Sequence, residues 1–177
     1  TNIGKSPLFP KYETFADFLS NTIIGKRKHT ISEFFYRTQH IQQLGGYQIY
    51  PAGYYADDAS ILLFCNNNGI ASTEESLIVY RKSENNISSS SCWNVEKSKA
   101  ALKYYQWIID EFPMKQQDEQ IIQQRLDFDL YTYFSAALNI HQSIQILNCI
   151  PVNIWNWKKK LLCLYKFILN SYAKQIK

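Results

Sequence analysis

The chain has 177 residues, 46% of them apolar, which is enough to bury a core and excludes a wholly disordered polypeptide. Its four cysteines, Cys65, Cys92, Cys149 and Cys163, form no C-x-x-C pair and have no histidine at ligand spacing, so reduced thiols in a cytoplasm are expected, not a zinc site or a disulfide framework. Net charge is +4, but residues 1–129 carry 13 basic and 15 acidic groups while residues 130–177 carry six lysines and no acid, a basic tail suited to an anionic surface.

In chain order, residues 1–11, with Gly4, Pro7 and Pro10, read as an irregular lead-in. Glu13 to Ser20 reads as a short helix with Phe15, Phe18 and Leu19 on one face. The basic loop Gly25 to Thr30 follows. The β-branched and aromatic run Thr30 to Arg37 predicts a strand running into a helix that stops at Gly45-Gly46. Asp57 or Asp58 then caps a helix through Phe64 and Cys65, ended by the turn Asn66 to Gly69. Ile70 to Tyr80 contains the next strand, with Leu77 to Tyr80 at its end, and Ser83 to Ser91 is a polar loop. From Asn94 the period becomes helical: Val95 to Phe112, Gln116 to Ile140, and Val152 or Ile154 to about Ala173, with breaks at Pro113 and Pro151.

The chemistry-bearing feature is the adjacent pair Asp57-Asp58, where a Gly- and Pro-broken loop meets an apolar helix. Such a pair is either a helix cap or a catalytic carboxylate site. The histidines His29, His40 and His141 have no metal-ligand spacing, and no G-x-S-x-G, P-loop or G-x-G-x-x-G is present. Lys26-Arg27-Lys28 is too small a basic cluster to predict nucleic-acid binding. No apolar run reaches the roughly 18 residues that span a bilayer, and no signal peptide opens the sequence. The chain starts Thr-Asn-Ile and its single methionine is Met114, which reads as a piece of a longer protein.

The order Gly45-Gly46-Tyr47, Asp57-Asp58, Asn68-Gly69, then Val79-Tyr80-Arg81 and Asn86-Ile87-Ser88 resembles the acceptor-side half of family two nucleotide-sugar glycosyltransferases over about residues 28–92. The resemblance implies an α/β fold: a partial GT-A-like region over about 1–92, followed by a mostly helical C-terminal extension over 93–177 packed on it. It implies Asp58 as the base that deprotonates an acceptor hydroxyl, with Asp57 beside it capping the helix, orienting a neighbour or touching the acceptor. It further implies Arg81, Asn86 and Ser88 on the donor side, and Tyr54 and Tyr55 on the acceptor. Plain capping by the two acids, a surface arginine at position 81 and an ordinary polar turn over 86–88 are the alternatives.

The partners implied are a nucleotide-sugar donor and a glycan or lipid-linked acceptor, with peripheral membrane contact at the inner face of the membrane, scope for self-association and no nucleic acid. A divalent metal, Mg or Mn, is expected for the full-length enzyme, its ligands largely outside this chain. The literal D-x-D, Asp127-Phe128-Asp129, lies in a helical pattern where residues two apart point to nearly opposite sides, so it is rejected as the metal motif. By this reading the donor half precedes Thr1, and the fragment alone is inactive.

A different class of function comes from the tail. Ile154, Trp157, Leu161, Tyr165, Ile168 and Tyr172 recur at helical spacing beside Lys158, Lys159 and Lys166. Packing of this stripe on the domain is the default expectation; a non-catalytic helical module binding a partner or membrane through it is the rival.

Overall fold

The computed structural model describes residues 9–27, 31–65, 68–73 and 90–175. They divide into two compact units: Thr1–Ile49 with Tyr55–Lys82, and Tyr50–Tyr54 with Ser83–Lys177. Among the described residues the chain is mostly helical and its sheet is one antiparallel pair, so the α/β expectation holds only in the coarse sense that both kinds of element occur.

In the first unit, β1 (Tyr12–Glu13) pairs with β2 (Ile70–Ala71), Tyr12 facing Ala71 and Glu13 facing Ile70. Helix α1 (Phe15–Ile23) starts where the Thr14 hydroxyl accepts the Asp17 amide at 3.2 Å, and it buries Phe18, Leu19 and Ile23. Behind it lies an ion pair removed from solvent, Arg27 Nη1 to Glu13 Oε2 at 2.6 Å, with the guanidinium 3.6 Å over the Phe9 ring. A charge so buried is tolerated only because its partner is in place.

The strand expected over Thr30 to Arg37 is not formed. Ile31–Glu33 make one 3₁₀ turn and residues 34–37 run on outside any ladder, with Phe34 stacked on Tyr36 and edge-on to Phe18. The β-branched and aromatic residues that suggested a strand feed an aromatic cluster instead, since composition specifies burial more firmly than backbone state. The second strand is likewise short, and Leu77 to Tyr80 lie outside the described residues.

Helix α2 (Thr38–Gln43) ends in two left-handed glycines, Gly45 and Gly46. Their amides donate to the carbonyls of Gln42 and Ile41 at 3.2 and 2.9 Å, closing the helix in a Schellman turn. Helix α3 (Ala56–Cys65) buries Ala59, Ile61, Leu62, Phe64 and Cys65. Its end is closed by the amides of Asn68 and Gly69 on the Cys65 carbonyl and by His40 Nε2, 2.7 Å from the Phe64 carbonyl.

The second unit is built on α4 (Asn94–Glu111), which packs against α5 (Gln116–Ser135), α6 (Ile140–Cys149) and the turn Pro51–Gly53. Ala100 and Ala101 bring backbones together, and Tyr104, Tyr105, Ile108, Leu130, Phe134 and Ile146 fill the layer between helices. The helix expected over Gln116 to Ile140 stops at Ser135, and α6, for which no separate helix was expected, begins at Ile140. Asn94 Nδ2 holds the Tyr133 and Ala136 carbonyls, closing α5, and the Asn139 side chain accepts the Gln142 amide at 2.9 Å to open α6. After Pro151, α7 (Trp157–Gln175) starts later than Val152 or Ile154, where the Asn156 side chain accepts the Lys159 amide.

Candidate functional site

The loop before α3 is tied down from below. The Gln48 amide donates to the buried Ser60 hydroxyl at 2.8 Å, and that hydroxyl donates in turn to the Ala56 carbonyl at 2.5 Å. The chain then passes through two non-glycine residues in the left-handed region, Ala52 (φ 52°) and Tyr55 (φ 64°). A side chain in that region costs on the order of 1–2 kcal/mol, so the surroundings must hold it there. At Tyr55 part of that hold is visible: its carbonyl accepts the Ala59 amide at 2.9 Å, the first bond of α3.

Asp57 and Asp58 follow at once, both half-buried in the first turn of α3. The helix N-terminus favours negative charge at this point. Asp57 Oδ1 accepts the Asp58 amide at 3.1 Å, so Asp57 caps its own turn. Its charge also reaches Tyr36, whose hydroxyl is driven well above the ordinary tyrosine range, first by burial, then by Tyr47, Cys65 and Asp57. Tyr36 and Tyr47 both stand edge-on to Phe64, at 5.0 and 5.4 Å. The acids thus start a helix whose other end carries an aromatic cluster; a carboxylate can accept a proton from a hydroxyl within reach.

The remaining candidate residues are Tyr54, Tyr55, Arg81, Asn86 and Ser88. Tyr55 belongs to the first unit and Tyr54 to the second, where its ring stands edge-on to Tyr133 at 6.0 Å and Lys97 Nζ lies 5.1 Å from its centroid. Lys97 is buried, its amine pulled below the usual lysine range by desolvation, and it donates to the Ser90 carbonyl at 2.8 Å. Arg81, Asn86 and Ser88 lie outside the described residues.

Sequence reasoning missed the left-handed conformations of Ala52 and Tyr55. Neither residue type announces them, and only the neighbouring Pro51 and Gly53 mark a turn. It also missed Ser60, a polar residue in an apolar helical run whose hydroxyl turns out to pin the loop.

The donors of the literal D-x-D do not fit a metal. Asp127 accepts Trp155 Nε1 and pairs with Lys159, whereas Asp129 accepts the Tyr105 hydroxyl at 2.6 Å and faces Arg125 Nε at 3.6 Å. The two carboxylates serve different partners, as their spacing on α5 requires. Among the described residues no group of three or more His, Cys, Asp or Glu side chains is placed to hold a metal ion. Comparison with protein-family models, curated proteins and solved structures finds no match for this chain.

Proposed function

We propose that this chain is the acceptor-side part of a glycosyltransferase of the GT-A type, moving a sugar from a nucleotide-sugar donor to a glycan or lipid-linked acceptor. The observation that carries the reading is the left-handed Tyr55 set directly ahead of Asp57 and Asp58 at the start of α3. Strain of this kind persists where surrounding structure over-determines it, and it clusters at reactive sites. Simple capping needs no such preparation.

In the proposed reaction the Asp58 carboxylate takes the proton of an acceptor hydroxyl. The oxygen attacks the anomeric carbon, and the bond to the nucleoside diphosphate breaks with its electron pair leaving on the diphosphate. Asp57, already bonded to the Asp58 amide, fixes the turn on which the base sits. Tyr54 and Tyr55 are the acceptor-side aromatics, and Arg81, Asn86 and Ser88 the donor-side group. In this reading the ligands of the divalent ion lie largely outside these 177 residues.

Sugar transfer by the full-length enzyme, assayed over a panel of nucleotide sugars, tests this. Asp58→Asn keeps the size of the side chain and removes its basicity, so turnover falls by about 10²–10⁴ with the fold intact, the usual contribution of a positioned base. Turnover retained by a folded Asp58→Asn protein would refute the assignment. The rival reading, a non-catalytic module that binds through its last helix, draws on a separate feature of α7.

A further inference from the structure

Among its described side chains, helix α7 is fixed along one side. Cys163 is buried, Phe167 stands edge-on to Phe134 at 5.9 Å, Lys160 Nζ closes the end of α6 by donating to the Leu147 and Ile150 carbonyls, and Lys159 pairs with Asp127. The opposite side is apolar and exposed: Trp157 62%, Leu161 56%, Leu162 53%, Tyr165 61%, Ile168 38% and Leu169 49%. From Trp157 through Ile168 the stripe picked out in the sequence therefore faces outward. At about 1.5 Å per residue the exposed row runs on the order of 18 Å.

An apolar row of this size on one face marks a surface that something covers. The charges around it identify what. Lys158 Nζ lies 5.7 Å from the Trp157 ring centroid within the row, Lys166 is exposed at its border, and no acid occurs anywhere after Asp129. A second copy of the chain would bring lysine against lysine across the contact. An anionic lipid surface accepts both features: the rings and leucines enter the headgroup and acyl boundary while the lysine amines stay among the phosphates.

No helix among the described residues is long and apolar enough to cross a membrane. We infer that α7 lies flat on anionic lipid, holding its helical unit against the membrane. This does not rest on the glycosyl-transfer reading, and its test involves no sugar transfer.

The test is sedimentation of the 177-residue chain with large vesicles of phosphatidylcholine alone or mixed with phosphatidylglycerol. The chain pellets with the mixed vesicles, weakly or not at all with the neutral ones, and less as ionic strength rises from about 0.05 to about 0.5 M. Leu161→Ser/Leu169→Ser lowers the partition coefficient on the order of a hundredfold. Both positions are solvent-exposed, and an unchanged near-ultraviolet circular dichroism spectrum shows that the variant is folded. Trp157→Phe reduces the blue shift of tryptophan emission that vesicles produce, because Trp157 is the tryptophan in the exposed row and Trp155 is already buried. Equal binding to both vesicle types, full binding by the double-serine variant, or no pelleting at all would overturn the inference. So would a lipid-free dimer, seen by sedimentation equilibrium, that the double-serine variant dissociates.

Discussion

Gly69 is where a single methyl group tests the first unit. It has φ +68°, and a Cβ built there would fall inside van der Waals contact of the Glu13 carbonyl and 2.8 Å from Tyr12 Oη. Holding alanine in the left-handed region costs about 1–2 kcal/mol. Relieving the clash means moving β1, and with it the β1–β2 backbone bonds and the 2.8 Å bond from the Tyr12 hydroxyl to the Asn68 carbonyl, each worth about 1 kcal/mol net. Gly69→Ala should therefore destabilise the first unit by about 3–4 kcal/mol. Gly45 is the control: at φ +81° with nothing within 4 Å of a built Cβ, its alanine variant meets only the conformational penalty, about 1–2 kcal/mol.

All four tryptophans lie in the second unit, so their fluorescence is the wrong readout for this pair of variants. Hydrogen exchange by mass spectrometry on peptides covering residues 9–27 and 56–73 reads the first unit directly. Protection should fall clearly further in Gly69→Ala than in Gly45→Ala. Equal losses in the two variants would refute the steric argument and leave only the backbone term.

Asn139→Ala removes the side chain that opens α6 and should cost about 1 kcal/mol, read as a lower urea midpoint by tryptophan fluorescence; an unchanged midpoint would show that the cap is not needed. Alkali should destabilise the fold. Burial pushes the Cys65 thiol up to about 12 from 9.0 and the Tyr50 hydroxyl up to about 12 from 10.0, and it moves Tyr36 and Tyr105 the same way. The folded chain keeps protons that the unfolded chain has released, so this stability is fully present below the unfolded values and is lost as pH rises toward the folded ones. Urea midpoints measured by far-ultraviolet circular dichroism, which reads helices of both units, from about pH 8 to about pH 11 should fall throughout, and Cys65→Ala should make the fall shallower; a flat profile would contradict the burial of these groups.

The amino-acid sequence by itself determined the local punctuation and the placement of charge. Gly45-Gly46 ends α2 because only glycine adopts two successive left-handed conformations cheaply, and Asp57-Asp58 falls in the first turn of α3 because carboxylates suit that end of a helix. The opposed partners of Asp127 and Asp129 follow from two residues of helical spacing alone.

Tertiary structure decided whatever depended on a distant partner. The aromatic run at Phe34–Tyr36 found ring contacts instead of a strand ladder, and residues 136–139, permissive for helix, became a break because Asn94 occupies the carbonyls at the end of α5. The left-handed Tyr55 is supported by contacts that no residue type advertises. The stripe on α7 has the periodicity of a helix facing a core, yet Cys163, Phe167 and Lys160 take the packed side and leave Trp157, Leu161, Tyr165 and Ile168 outward. Periodicity marks an apolar face; which neighbour covers it is settled only by where the other helices lie.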